Sequence, residues 1–162
     1  MAGLDELGAR LLVVYDGHCG LCNRSVRWFL KRDRQDRLRF IASQSEKIAA
    51  VLTRYGLADS VPATKLTDGF HSTGSGPFNP STILVLRGIG TPSEQLLTRS
   101  DAILAILREL PSPWPAAAAA LRLIPRPLRD LGYRIISRSR YRIWGRLESC
   151  PIPTRAERTH FL

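Results

Sequence analysis

Two cysteines three residues apart stand where a predicted strand is followed by a predicted helix. Cys19 and Cys22 follow the apolar run at 11–15 and precede 23–33, which has the periodicity of an amphipathic helix. Residues three apart lie on one face of a helix's first turn, so two sulfurs there can form a disulfide with little backbone movement. Unpaired N–H groups and the helix dipole favour the thiolate of the first cysteine. The arrangement predicts a site of dithiol–disulfide chemistry.

Length and cysteine count limit the class of protein. The chain has 162 residues, 44% of them hydrophobic, which is enough for one domain with a sizeable core. Three cysteines are too few for a disulfide scaffold and favour a catalytic or regulatory pair in a reducing compartment. The first residues lack a basic patch and a long apolar run, so we expect no signal peptide and no transmembrane segment. We therefore predict a cytoplasmic location.

The order of predicted elements indicates an α/β fold. The predicted strands are 10–15, 38–41, 80–86 and 95–98, and the predicted helices are 23–33, one that starts at the capping box 43–46, and 101–110. Ser100 is expected to cap the last of these helices. The resulting order, β-α-β-α-β-β-α, matches the thioredoxin fold.

A proline-rich break after the third predicted helix divides the chain. We predict a thioredoxin-like domain over 9–111 and a C-terminal extension over 112–162, helical and irregular, that packs on it. The extension holds an alanine-rich helix and then a second helix with apolar residues at helical spacing. The apolar positions of that second helix are Leu128, Leu131 and Ile135.

The C-terminal part of the chain is strongly basic. The formal net charge is +10, and the range 122–158 holds ten arginines against three acidic residues. Such a region suits an acidic partner, nucleic acid or an anionic membrane surface. Because it has no recognised nucleic-acid-binding motif, we expect no nucleic acid partner. A solvated basic face is the simpler interpretation, peripheral membrane contact stays open, and so does the oligomeric state.

The chain resembles the DCC family of predicted thiol–disulfide oxidoreductases, which is named for D-x-x-C-x-x-C. In this sequence the motif is Asp16, Cys19 and Cys22. The similarity runs nearly from end to end, and it includes Tyr15-Asp16-Gly17, Trp28-Phe29-Leu30, Arg99-Ser100-Asp101-Ala102, and Arg140-Tyr141-Arg142 with Gly145, Cys150 and Pro151. The resemblance implies a thioredoxin-like fold and dithiol oxidoreductase activity, without naming a substrate.

The three motif residues receive separate roles. Cys19 is expected to be the nucleophile, nearer to solvent and with a lowered pKa, and Cys22 the more buried resolving thiol. For Asp16 we predict support of the loop together with proton transfer; the alternative is an Asx-type turn. Two other interpretations of the pair are an inert packed pair and a zinc site. Zinc requires about four ligands, and no second pair has ligand spacing, so we expect no metal.

Four further residues are candidates for substrate binding. A protonated His18 would stabilise the thiolate, although a loop residue can equally point to solvent. Pro80 stands where thioredoxin-like folds keep a cis-proline facing the cysteines, with an ordinary trans proline as the alternative. Ser100 and Asp101 lie in a stretch that resembles the turn of glutathione transferases that binds the γ-glutamyl group; a plain helix cap is the alternative. Cys150 is interpreted as a small buried residue.

The sequence thus predicts a thiol–disulfide oxidoreductase that acts on protein or low-molecular-weight disulfides. No cofactor is expected, with glutathione a candidate thiol co-substrate. The alternative is a binding or redox-sensing module that docks an acidic partner or a membrane surface through its basic C-terminal region.

Overall fold

The computed structural model describes residues 7–43, 45, 47–48, 52, 55, 82–145, 147, 154 and 157–162. Its strands are β1 (Leu11–Tyr15), β2 (Leu38–Ala42), β3 (Leu84–Arg87) and β4 (Gln95–Thr98). Its α-helices are α1 (Gly20–Leu30), α2 (Arg99–Glu109), α3 (Trp114–Arg122) and α4 (Arg126–Trp144), followed by a 3-10 turn at Arg158–His160. The predicted strand β4 has the observed bounds, and the other predicted elements differ at their ends.

The strands form one mixed sheet in the order β2-β1-β3-β4. β1 runs parallel to β2, with Val13 opposite Phe40, and antiparallel to β3, with Val13 opposite Val85. β3 and β4 are antiparallel neighbours. The parallel pair needs a crossover connection, which α1 provides. This mixed α/β architecture confirms the predicted thioredoxin-like fold.

The central strand β1 is buried on both faces of the sheet. All five of its residues are buried, as its unbroken apolar run predicts. Successive side chains point to opposite faces, so Val13 joins the core formed with α1 and α2, whereas Val14 joins a second core. Most of the predicted helix after 43–46 lies outside the described residues, but Ile48 and Leu52 are described and belong to that second core.

Two predicted element starts are corrected by specific hydrogen bonds. α1 begins at Gly20 and not at Asn23, because Cys19 is its N-cap and accepts a hydrogen bond from the first turn. β3 begins at Leu84 and not at Pro80. At its start the N–H of Ile83 donates to the hydroxyl of Tyr133 at 2.9 Å rather than to a neighbouring strand.

The predicted cap of α2 is also wrong. The N-cap is Thr98, whose side chain makes no capping hydrogen bond, and Ser100 lies inside the first turn. The Ser100 hydroxyl donates instead to the carboxylate of Asp130 on α4, at 2.5 Å. The side chain therefore joins two helices instead of ending one.

The C-terminal helices pack on the same side of the sheet as α1 and α2. α3 contacts α2, and α4 contacts both α1 and α2. Trp114 at the start of α3 lies edge-on to Trp28 of α1, with ring centroids 4.5 Å apart. A division into units at residue 111 stays a prediction. Among the described residues, no helix combines the length and the apolar content that a bilayer crossing requires.

α4 packs through its polar face and exposes its apolar face. Asp130, Tyr133 and Arg140 turn towards the rest of the protein, with Arg140 only 3% exposed. The apolar residues predicted for this helix point outward: Leu128 is 59% exposed, Leu131 47% and Ile135 60%. The amphipathic pattern of α4 is thus inverted relative to a helix that buries its apolar stripe.

Two isoleucine variants test this inversion. We expect Ile135→Ala to change the free energy of unfolding by less than about 0.5 kcal/mol, because the side chain is already in water. Ile106→Ala on α2, where the side chain is fully buried, should cost about 2–5 kcal/mol. Urea denaturation of both variants measures the difference, and equal losses would contradict the orientation of α4.

Candidate redox site

The cysteine pair occupies the first turn of α1, as the sequence predicts. Cys19 is the N-cap residue in extended conformation, and its Sγ accepts a hydrogen bond from the backbone N–H of Cys22 at 3.2 Å. Both residues are free cysteines, and their side chains are also hydrogen-bonded to each other. The two sulfurs are therefore neighbours, which is the arrangement that disulfide formation needs.

The two thiols of the pair differ in pKa: that of Cys19 is lowered and that of Cys22 is raised. The hydrogen bond from the Cys22 side chain is the main cause that lowers the pKa of Cys19 to about 7, and the backbone N–H of Cys22 and the charge of Arg140 add to it. Burial and the charge of Asp16 act in the opposite direction but are outweighed. The same side-chain hydrogen bond, together with burial, raises the pKa of Cys22. The thiolate therefore forms on Cys19 and the proton stays on Cys22.

The relative exposure of the two cysteines is the reverse of the prediction. Cys19 is fully buried, at 0% exposure, and Cys22 is half-buried. The chain that leaves α4 lies over the loop before α1: Leu147 donates its N–H to the carbonyl of His18 at 2.8 Å, and Gly20 donates to the carbonyl of Gly145 at 3.4 Å. We call Gly145 and Leu147 the covering segment. It lies beside the N-terminal end of the helix, where Cys19 is buried.

The C-terminal end of α4 approaches α1 so closely that only glycine fits at position 20. A Cβ atom on Gly20 would lie 2.4 Å from the backbone carbonyl oxygen of Trp144, well inside van der Waals contact. Gly145, which ends α4, has a φ of 73°, a conformation that glycine adopts without strain. The two glycines thus let the end of α4 meet the start of α1.

Asp16 stabilises the loop before α1 and contacts two residues of α4. One carboxylate oxygen accepts the backbone N–H of His18 at 3.0 Å, which is the geometry of an Asx turn. The other accepts a guanidinium N–H of Arg140 at 3.0 Å and the hydroxyl hydrogen of Tyr141. Asn23 adds support from α1, because its side-chain amide donates to the carbonyls of Gly17 and Cys19.

Arg140 is the buried cation of the site. Its guanidinium donates to the carboxylate of Asp16 and, at 3.5 Å, to the Sγ of Cys22. It is 3% exposed and Asp16 is 6% exposed, so the ion pair is shielded from water and from salt. A buried positive charge next to two sulfurs favours the thiolate form of either one.

Arg140 and Tyr141 are site residues that sequence reasoning did not assign. They lie 124 and 125 positions after Asp16, and arginines stand at many other positions of the same helix. The one signal that pointed to them was the resemblance, which includes Arg140-Tyr141-Arg142. Helical spacing alone does not distinguish the buried arginine from its exposed neighbours.

The remaining predicted site residues do not all meet at the cysteines. His18 lies in the loop before Cys19, but a role for its imidazole stays a prediction. Pro80 and Cys150 lie outside the described residues. Ser100 and Asp101 contact residues of α4. The two side chains predicted to bind glutathione therefore hold that helix in place.

Ion pairs and a hydrogen bond connect Ser100 and Asp101 of α2 to α4. The Asp101 carboxylate pairs with Arg126 at 3.0 Å and with Arg129 at 3.3 Å, and Ser100 is bonded to Asp130. These contacts satisfy the side chains without a ligand. Glutathione binding at this turn stays a prediction.

A cleft of about 380 Å³ opens next to the cysteine pair. It lies between α1 and the C-terminal end of α4. The residues that line it are Gly20, Asn23, Arg24, Arg27, Ile143, Trp144 and Leu147. Its wall thus includes the neighbour of Cys19 and part of the covering segment.

Among the described residues, the grouping with metal-ligand geometry is Asp33, Asp36 and His160. Contacts within the protein account for its carboxylates. Asp33 accepts the backbone N–H groups that start β2, and Asp36 pairs with Arg10 and Arg39, which lower the pKa of its carboxyl group. The grouping does not include the cysteines.

Comparison with known proteins agrees with the geometry. Residues 13–146 match the family described as DCC1-like thiol-disulfide oxidoreductase. The uncharacterized protein YuxK of Bacillus subtilis (strain 168) is 28% identical over 151 residues, which cover 93% of each chain. The chloroplastic DCC family protein At1g52590 of Arabidopsis thaliana is 28% identical over 147 residues, 91% of this chain and 72% of that one. No solved structure matches the chain significantly.

The pKa of Cys19 is open to direct measurement. We expect the ultraviolet absorbance of the thiolate to titrate with a midpoint near pH 7, so that alkylation of Cys19 speeds up towards pH 7 and levels off above it. Cys22→Ala should raise the midpoint most, because it removes the main hydrogen-bond donor. Arg140→Gln should raise it as well, whereas Arg138→Gln, on the exposed face of the same helix, should not. A folded Arg140→Gln protein with an unchanged midpoint would contradict this assignment.

The close approach at Gly20 gives a second prediction. Gly20→Ala should push the end of α4 away, lower the free energy of unfolding by about 1–3 kcal/mol and speed up alkylation of Cys19 by iodoacetamide. Gly132→Ala is the matched control, because a Cβ there meets nothing within 4 Å. It should stabilise the helix by about 0.5–1 kcal/mol and leave the alkylation rate unchanged. Equal alkylation rates in the two variants would show that Gly145 and Leu147 do not limit access to Cys19.

Proposed function

Because the chain belongs to the DCC1-like thiol-disulfide oxidoreductase family, we propose that Cys19 and Cys22 form its redox couple and that the protein exchanges electrons with disulfide substrates. The observation that carries the proposal is the contact between the two cysteines at the first turn of α1, where the Sγ of Cys19 accepts the backbone N–H of Cys22 at 3.2 Å. A pKa of about 7 gives Cys19 a large thiolate fraction at neutral pH, while Cys22 keeps its proton. A two-step exchange requires one thiolate that attacks the substrate disulfide and a second, resolving thiol that later attacks the mixed disulfide.

In the first step, the thiolate of Cys19 attacks one sulfur of the substrate disulfide. A mixed disulfide forms, and the second substrate sulfur leaves as a thiolate. In the second step, Cys22 loses its proton to solvent or to the leaving thiolate and attacks the Sγ of Cys19. The protein disulfide forms and the first substrate sulfur is released, so two electrons pass from the protein to the substrate.

Arg140 is proposed as the residue that stabilises both steps. Its charge favours the thiolate of Cys19 before the attack. Once Cys19 is in a mixed disulfide, its sulfur no longer carries charge, and the guanidinium at 3.5 Å from Cys22 favours the second thiolate. Asp16 is a positioning residue in this proposal, because it holds Arg140 and the loop. Proton transfer by Asp16 stays a prediction.

Access to Cys19 requires movement of the covering segment. The described contacts that hold Gly145 and Leu147 to the loop are two backbone hydrogen bonds, each of which contributes about 1 kcal/mol net. A bound substrate can offset a cost of that size. We propose that the cleft next to Gly20 receives the substrate and that the covering segment moves as it enters.

Substrate identity and location belong to the proposal as well. We propose protein or low-molecular-weight disulfides as substrates, glutathione as a thiol co-substrate, and the cytoplasm as the location. The glutathione part depends on Ser100 and Asp101 being released from α4. The relatives named above are uncharacterized or known by family name, so they add no substrate.

Single-turnover reduction of glutathione disulfide and of a disulfide-bonded peptide tests the couple. The reduced protein should reduce at least one of them, and Cys19→Ser should abolish the reaction. Cys22→Ala should stop at a mixed disulfide, which intact-protein mass spectrometry detects. Cys150→Ser is the control for the third cysteine and should react like the unmodified protein.

Two outcomes would contradict the proposed redox couple. If all three thiols react equally slowly, near the pH expected of a free cysteine, the pair is not an activated couple. A Cys19→Ser protein that still reduces the disulfides would exclude Cys19 as the nucleophile. The first outcome favours the binding-module interpretation of the sequence, and the second assigns the attack to another thiol.

A further inference from the structure

The outward surface of α4 is apolar over most of its length. We call this the outer face, and its residues are Leu128, Leu131, Ile135, Ile136 and Ile143. They are spaced so that they share one side of the helix, and between 47% and 62% of each is exposed. The turn between α3 and α4 extends the surface through Leu123, which is 86% exposed, and Ile124. A contiguous apolar surface of this kind marks an interaction site.

The arginines of α4 form two groups, one paired with carboxylates of the protein and one exposed. Three of them pair with carboxylates of the protein: Arg126 and Arg129 with Asp101, and Arg140 with Asp16. Those that border the outer face, Arg134, Arg138 and Arg142, are exposed, and within the described part of the chain no carboxylate pairs with them. The outer face is therefore an apolar stripe bordered by uncompensated positive charge.

This combination fits one class of partner best. Two copies of the chain that met through their outer faces would bring like charges together, which costs free energy. A nucleic acid would neutralise the arginines but leave the isoleucines in water. An anionic lipid surface satisfies both features, because the apolar side chains enter the acyl boundary while the arginines meet headgroup phosphates.

We propose that α4 binds an anionic phospholipid surface through its outer face, with Leu131 and Ile135 inserted and Arg134 and Arg138 on the headgroups. The helix would lie in the plane of the surface, since its opposite face is occupied by contacts with the rest of the protein. The inference depends on exposure and charge and not on the redox chemistry. It places the cysteine pair, which Arg140 contacts from the same helix, on the side of α4 that faces away from the lipid.

Co-sedimentation of the full chain with vesicles tests the proposal. We expect binding to vesicles of phosphatidylglycerol and phosphatidylcholine in equal parts, little binding to phosphatidylcholine alone, and weaker binding as salt is raised. The double variant Leu131→Glu with Ile135→Glu should abolish binding. Arg134→Gln with Arg138→Gln should weaken it about 20- to 30-fold, from the free energy that each arginine contributes near such a surface.

A charge-matched control separates this surface from net charge. Arg34→Gln with Arg108→Gln removes the same charge from exposed positions outside α4 and should leave binding nearly unchanged. All of these positions are exposed, so circular dichroism and the Cys19 titration should be the same in every variant.

Three results would overturn the proposal. One is that the unmodified chain stays in solution with anionic vesicles, as it would if residues 56–81 or a second copy covered the outer face; light scattering then identifies the copy. Another is that the glutamate variant binds as tightly as the unmodified chain. The third is an equal loss of binding in the two arginine double variants, which would mean that net charge and not this face is responsible.

Discussion

The buried ion pair between Asp16 and Arg140 joins the loop before α1 to α4 beside the cysteines. Removing one partner would leave the other charge buried, which costs about 3–5 kcal/mol. Together with the contacts of Ser100 and Asp101, the pair fixes where α4 lies on α1 and α2. Because the helix is held there, its end closes over the loop and its apolar side faces outward. Burial of Cys19, the positive charge beside the Sγ of Cys22 and the exposed stripe on α4 all depend on this position of the helix.

The electrostatics of the pair show why the position of Arg140 matters. Asp16 alone would oppose a thiolate nearby, and burial opposes it as well. The guanidinium compensates for the carboxylate and contacts the second sulfur. The loop thus has the carboxylate of Asp16 near Cys19, which must ionise. The carboxylate raises the pKa of Cys19, and the guanidinium of Arg140 that it binds offsets this effect.

Local patterns predicted most of the sheet and the position of the cysteines. The apolar run of β1 and the C-x-x-C at the start of α1 depend on neighbours in sequence, and the structure has them where expected. The exposure of Cys19, the contacts of Ser100 and the orientation of α4 depend on residues 30 to 125 positions away. In α4 both faces have helical periodicity, so spacing could not show that Asp130, Tyr133 and Arg140 would be the inward side.

The sequence separation within the site has a consequence for biosynthesis. Asp16 and Arg140 are 124 positions apart, so during translation both cysteines leave the ribosome long before the arginine does. Until α4 is made and docked, the emerging thiols lack its positive charge and its covering turn, and they behave more like ordinary cysteines. Full activation of the nucleophile is thus delayed until α4 has been made and has docked beside the cysteines.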